Sequence, residues 1–207
     1  MLYYLTVGVL LGLTAGFSPG PLLTLVISET LENGIASGIK VALAPIITDV
    51  PIILVSSLLF TQLSGIENIL GIISLIGGTY VLYIGYESFR AKAPAVDQAK
   101  TKPKSLTRGI LANALSPHPY LFWISVGAPT IAKALSVNIL APLLFICGFY
   151  FFLVGAKIVL AVLVGKSRSF FSDKAYVYTM RFLGVLLGAF SMVLFTDGLE
   201  LLGVLET

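Results

Sequence analysis

The 207-residue sequence is short of charge, cysteine and histidine. Only 11% of its residues are charged, against about 25% in an ordinary soluble domain, so the chain cannot coat a water-facing surface. A single cysteine, Cys147, excludes an internal disulfide and a two-cysteine redox relay. A single histidine, His118, excludes a multi-histidine metal site, and three methionines offer little to a soft metal. No metal, cofactor or catalytic group is expected. What the chain does have is apolar: 57% hydrophobic residues and a mean hydropathy of +0.99. At roughly 20 residues per span, its length allows roughly five to seven membrane helices and no separate soluble domain. The net charge of +3 does not point to nucleic acid as a partner, because the basic residues lie in loops.

The apolar runs predict six spans: Leu2 to Ser28, Ile39 to Phe60, Ile66 to Tyr86, Gly109 to Ala132, Val137 to Val164 and Val177 to Leu202. The first run lacks a basic flank and is too long for a signal core, so it is expected to stay in the membrane. Runs of this length are helical; a barrel needs short alternating segments. The polar linker 87–108 divides a single transmembrane domain, 1–207, into halves 1–86 and 109–207. Eleven of the thirteen Lys and Arg residues fall in loops after the first, third and fifth spans, leaving only Lys133 opposite and Lys157 inside a span. That bias predicts a cytoplasmic linker in the cell membrane, with both termini outside.

Span one carries Ser18-Pro19-Gly20-Pro21 and span four carries Ser116-Pro117-His118-Pro119. Three spans per half force the halves to insert upside down relative to each other. The expected fold is an all-α membrane protein of two inverted three-helix halves, each with a proline-broken first helix, as in many secondary transporters. Each proline lacks an N–H. Pro19 and Pro21 therefore free the carbonyls of Ala15 and Phe17, and Pro117 and Pro119 those of Asn113 and Leu115. Such groups need a partner inside a bilayer. Ser18 and Ser116 are candidate caps for the restarted helices. The N–H groups around Leu22 to Thr24, and around Tyr120 to Phe122, are then expected to form positive half-helix ends suited to a carboxylate. The bland alternative is a pair of packing kinks.

Pro45 and Pro51 flank Asp49 near the middle of span two. An ionised carboxylate there costs about 2.5–3.5 kcal/mol, so it is expected to face a cavity, with Thr48 beside it, as a proton-coupling acid or an anchor for a substrate ammonium. Its alternative is a protonated side chain bonded to a neighbouring helix. Lys157 either snorkels to the headgroups or pairs with Asp49. Asp197, near the outer end of span six, is a weaker candidate. Trp123 is placed to border the cavity, and His118 to donate a hydrogen bond.

Gly8, Gly12, Gly16 and Gly20 recur every fourth residue, and Ser64, Gly71, Gly78 and Gly85 every seventh; Gly184 and Gly188 form a GxxxG pair. Packing within the chain is the default use of such faces, with a homodimer the alternative. Tyr83, Tyr86 and Phe89 read as an aromatic belt.

The order of these motifs resembles one family. Ser18-Pro19-Gly20-Pro21, a short loop with Gly34 and Gly38, and Asp49 are followed by Gly77-Gly78-Thr79-Tyr80-Val81-Leu82-Tyr83-Ile84-Gly85-Tyr86 and a basic linker. Arg108-Gly109-Ile110-Leu111-Ala112-Asn113 then leads into Ser116-Pro117-His118-Pro119 and Phe122-Trp123. Over nearly the whole chain this resembles the lysine exporter (LysE/RhtB) family. The resemblance implies a six-helix exporter of amino acids or related small metabolites, driven by the membrane ion gradient, with the bilayer and a small molecule as partners. It also implies that Pro19, Gly20, Pro21 and Asp49 occupy the family's most recognisable positions. The chain departs from the family at Ser116-Pro117-His118, where Asn-Pro-Lys is usual, and at Ala44-Pro45, where Leu-Gly is commoner. The residues expected to bind substrate are Ser18, Pro19, Gly20, Pro21, Thr24, Thr48, Asp49, Ser116, Pro117, His118 and Trp123. Asp49 and Lys157 are the expected coupling groups. The competing readings are an ion or metal transporter on a related scaffold and an intramembrane enzyme; no GxSxG elbow supports the latter.

Overall fold

The computed structural model describes residues 1–59, 66–91, 104–167 and 172–205. Phe60, Ser64, Lys92, Lys100, Lys102, Arg168 and most of the linker expected over 87–108 lie outside the described residues. Every regular element among the described residues is helical.

Helix α1 (Leu2–Phe17) stops where Pro19 denies Ala15 its usual donor. Ser18 and Gly20 carry the chain in extended conformations, and Pro21 takes the first position of α2 (Pro21–Asn33). The two axes differ by 61°. At about 1.5 Å per residue, the 16 residues of α1 cover about 24 Å. That is less than the roughly 30 Å of a bilayer's hydrocarbon, so the candidate span is the bent pair α1 and α2 together. Gly34, at φ +90, turns the chain into α3 (Ile35–Ala42), a left-handed position that favours glycine. After an interruption at Leu43, α4 (Ala44–Leu59) runs on through Pro51.

Helix α5 (Ile66–Phe89) and α6 (Ser105–Ala114) both extend into the expected linker. The expected fourth span is not one helix. Leu115 and Ser116 separate α6 from α7 (Pro117–Phe122), which continues through a π-helical turn (Trp123–Gly127) into α8 (Ala128–Val137). The long helices α9 (Ala141–Ser167) and α10 (Asp173–Leu201) complete the described fold.

Five stretches among the described residues are apolar and long enough to cross a membrane: Ile35–Ser56, Asn68–Phe89, Pro117–Val137, Ala141–Ser167 and Asp173–Leu201. The bent pair α1 and α2 makes the sixth. Large apolar side chains are exposed along these helices, among them Leu10, Leu54, Ile72, Phe151 and Phe182, whereas serines and threonines such as Ser74, Ser191 and Thr30 are buried. This arrangement suits a lipid surround. The chain is an all-helical, multi-pass membrane protein.

Two helix pairs frame the bundle. Gly8, Gly12 and Gly16 bring α1 parallel against α9, where an added Cβ would strike the Phe145 carbonyl, the Phe149 carbonyl and the Ala156 side chain respectively. Gly71, Gly78, Gly85, Gly184 and Gly198 bring α5 antiparallel against α10. Ser74 donates to the Leu194 carbonyl at 2.7 Å, and Ser191 to the Gly78 carbonyl at 2.9 Å, across that pair. These small-residue faces are used within the chain. Gly20 and Gly188 are the exceptions to their expected role, since a Cβ on either would meet nothing within 4 Å.

The packing follows the inverted repeat. The first span touches the fifth through α1 and α9, and the fourth touches the second through α6, α7, α8 and α4. The third and sixth spans, α5 and α10, pair with each other. Exchanging two inverted three-helix halves requires this set of partners. One end of the bundle gathers the start of α3, the end of α5, the start of α6 and the end of α9, and is here termed the linker face. The opposite end, with Met1 and Leu201, is the termini face.

Candidate functional site

The two proline breaks border a cavity of about 470 Å³, within the range of roughly 300–1,000 Å³ common for small-molecule sites. Ser18, Pro19, Gly20 and Pro21 line it from the first break, and Ser116, His118 and Pro119 from the second. Asp49, Trp123 and Lys157 reach the same space from α4, the π turn and α9. Phe122, Phe149 and Leu153 supply apolar wall. Of the residues expected to bind substrate, Thr24, Thr48 and Pro117 are not part of this lining. Thr24 instead returns its hydroxyl to the Gly20 carbonyl at 3.0 Å, and Thr48 lines a second cavity of about 370 Å³ between α4, α6 and α7.

Asp49 is 4% exposed and held by neutral groups. Asn113 Nδ2 donates to Oδ1 at 2.8 Å, and Tyr150 Oη to Oδ2 at 3.1 Å. Trp123 Nε1 lies 3.4 Å from Oδ2. The Thr48 hydroxyl accepts from Asn113 at 2.7 Å and lies 3.1 Å from Oδ1. This set of donors suits a carboxylate, an acceptor on both oxygens. The elements that deliver it are α4, α6, the π turn and α9, so groups from both halves converge on one acid. Trp123 packs in an aromatic cluster, with the Phe149 ring edge-on at 5.4 Å and the Tyr150 ring stacked at 6.2 Å.

Lys157 is also 4% exposed, and it neither reaches the headgroups nor pairs with Asp49. Its Nζ donates to the Gly16 carbonyl at 2.9 Å and the Ala15 carbonyl at 3.2 Å. These belong to the last turn of α1, and Ala15 is the residue whose usual donor Pro19 removes. In the second half, Tyr120 Oη donates to the Ala114 carbonyl at the end of α6, 2.9 Å away. The Asn113 carbonyl, freed by Pro117, accepts from Ser116 N at 3.2 Å.

The half-helix starts differ from expectation in detail. Gly20, not Ser18, is the residue before α2, and neither Ser18 nor Ser116 makes a side-chain cap hydrogen bond. Thr24 N is already engaged by the Gly20 carbonyl at 3.0 Å, so the open donors are those nearer Pro21. In the second half the helix restarts at Pro117. Tyr120 to Phe122 therefore lie inside it rather than at its positive end, because proline sits most readily at a helix's first position. His118 is largely exposed, and its Nε2 lies 3.7 Å from Asp197 Oδ2, an ion pair whenever the ring is protonated.

The profile of the LysE type translocators matches residues 13–198, which hold both breaks, Asp49 and Lys157. The chain belongs to this family. It is also similar to a protein of Escherichia coli (strain K12) described as "Uncharacterized membrane protein YahN", 28% identical over 138 residues. That match covers 62% of this chain and 60% of the relative, so it spans less than two thirds of the relative's length. No solved structure matches the chain.

In this translocator a buried apolar cluster lies on the linker-face side of the cavity. Leu25 and Val26 of α2, Val41 and Ala42 of α3, Val81 and Ile84 of α5 and Ala112 of α6 form one buried apolar cluster. Beyond it sits an ion network that the sequence reading missed. Glu29 is 1% exposed and accepts from Ser105 Oγ at 2.6 Å, Asn33 Nδ2 at 3.0 Å and Arg108 Nη1 at 2.9 Å. Arg108 Nη2 continues to Glu87 at 3.0 Å. The uncharged run ends at Ser28, which made Glu29 look like a loop residue. The bend at Pro19 instead starts a new helix that carries Glu29 into packed interior. Tyr150 was missed because it sits in an aromatic run, Phe149 to Phe152, with nothing in its spacing to separate it from core.

Proposed function

We propose that this translocator is a secondary transporter that exports amino acids or closely related small metabolites across the cell membrane, coupled to an ion gradient. One observation carries the reading: a single cavity between the two helix breaks presents a buried carboxylate, Asp49, and a buried ammonium, Lys157, neither of which neutralises the other. A zwitterion offers the complement of both. In this reading Asp49 takes the substrate's ammonium or a coupling proton. The donors at the start of α2, near Pro21, together with the Lys157 ammonium that lines the same cavity, take its carboxylate, as half-helix ends do in other transporters. Ser18, Pro19, Gly20, Ser116, His118 and Trp123 shape the cavity around the side chain. In this reading the linker face is turned to the cytoplasm, which the bias of eleven of the thirteen Lys and Arg residues to that side favours.

The test compares the metabolites in the medium of cells with and without overproduced protein, and repeats the comparison with Asp49→Asn. One or a few amino acids should accumulate with the unaltered chain, and the variant should lose at least tenfold of that export. Unchanged export by the variant removes Asp49 from the mechanism. An absence of amino acids from the difference removes the substrate class.

A further inference from the structure

Lys157 closes a gap that broken-helix transporters commonly fill with a dissolved ion. Where a membrane helix breaks, the carbonyls at the end of its first half point into the cavity without donors, and in many transporters they coordinate the coupling cation. Here Ala15 and Gly16 are such carbonyls, at the negative end of α1. The Lys157 ammonium sits on both, at 3.2 and 2.9 Å. It is delivered by the close α1–α9 contact, since Gly16 packs directly against Ala156, the residue before it. Among the described residues Lys157 forms no ion pair with a carboxylate, so the half-helix end is what balances its charge. Helix α1 contributes no charged side chain of its own. Asp49 and His118 line the same cavity from α4 and α7.

We infer that Lys157 is a tethered substitute for an alkali cation at the first helix break, so that the translocator takes no Na⁺ there and its cycle does not depend on Na⁺. The inference rests on reading the cavity as the transport site, and its first test needs no substrate. Purified protein is melted, followed by helical circular dichroism, in NaCl and in choline chloride at equal ionic strength. The unaltered chain should melt at the same temperature in both. A sodium-specific rise in melting temperature overturns the inference.

The second test removes the ammonium. Lys157→Met, similar in bulk but uncharged, should melt roughly 5 °C lower, the scale of a lost charge at a partly buried helix end. Lys157→Ala should recover most of its own loss with added n-propylammonium, but not with 1-propanol. Equal melting of Lys157→Met and the unaltered chain, or equal rescue by propanol, shows that the stem matters and the charge does not. If neither variant folds, the sodium comparison on the unaltered chain decides alone. Efflux in sodium-free medium separates the inference from the proposed function. Amino-acid export that persists without sodium supports both, export that stops overturns the inference only, and no amino-acid export under either condition overturns the proposed function while the melting result stands.

Discussion

Asp49 is surrounded by hydroxyl, amide and indole donors and by no cation among the described residues. Neutral donors hold the side chain in place without a counter-charge, as the binding or coupling role proposed for Asp49 requires. Removing one donor tests that dependence. Tyr150→Phe keeps the ring and deletes a hydrogen bond to a charged group, so folding stability should fall by about 1.5–3 kcal/mol, measured by denaturant titration of the purified protein. A loss near zero means that the Tyr150 contact does not hold Asp49. The acid itself was legible in the sequence, because a lone carboxylate in the middle of an apolar span stands out on cost alone. Its partners were not legible. Asn113 and Tyr150 are 64 and 101 residues away, and neither type nor spacing marks them before helices from both halves are packed. Lys157 and the Ala15 carbonyl were each identifiable separately; that they meet is decided by how α1 lies on α9.

The α1–α9 contact decides several of these positions together, and it depends on glycines whose missing side chains admit backbone. Adding a methyl at Gly12 drives a Cβ into the Phe149 carbonyl, which cannot rotate away. Gly12→Ala should destabilise by roughly 1–3 kcal/mol. Gly188, on α10, has nothing within 4 Å of an added Cβ, so Gly188→Ala should stabilise by about 0.5–1 kcal/mol through helix propensity. Thermal melts of the two variants should move in opposite directions; movement in the same direction contradicts the packing. The helical spans were readable from apolar runs, and the breaks from their prolines. The ends of the elements were less readable. Helices α5 and α6 carry polar residues such as Glu87, Ser105 and Arg108 into the expected linker, where ion pairing and hydrogen bonds between helices replace water.

On the scale of the whole molecule, the Glu29–Arg108–Glu87 network ties the broken helices of the two halves together on the linker-face side of the cavity. Glu29 lies six residues beyond Leu23 of the cavity lining, about 9 Å along α2, and Arg108 lies four residues before Ala112, about 6 Å along α6. Arg108→Gln leaves Glu29 buried without its cation and should cost about 3–5 kcal/mol. The double variant Glu29→Gln with Arg108→Gln should recover part of that loss, since no uncompensated charge remains. Melts of the single and double variants check this. A double variant less stable than Arg108→Gln by the full cost of Glu29→Gln shows that the two groups are not coupled. The two helix breaks were legible as Ser-Pro-x-Pro motifs, whereas this ionic tie was not. It joins α2 to α5 and α6 through residues that look like ordinary loop charges.

The chain has one tryptophan, and the fold places it against the acid that lines the cavity, its indole N–H towards Asp49 and its ring packed on those of Phe149 and Tyr150. The protein therefore carries its own optical probe. With no second indole to dilute the signal, the emission of the unlabelled chain reports the charge and wetting around Asp49. Compounds can be screened against it by fluorescence before any transport assay exists for them.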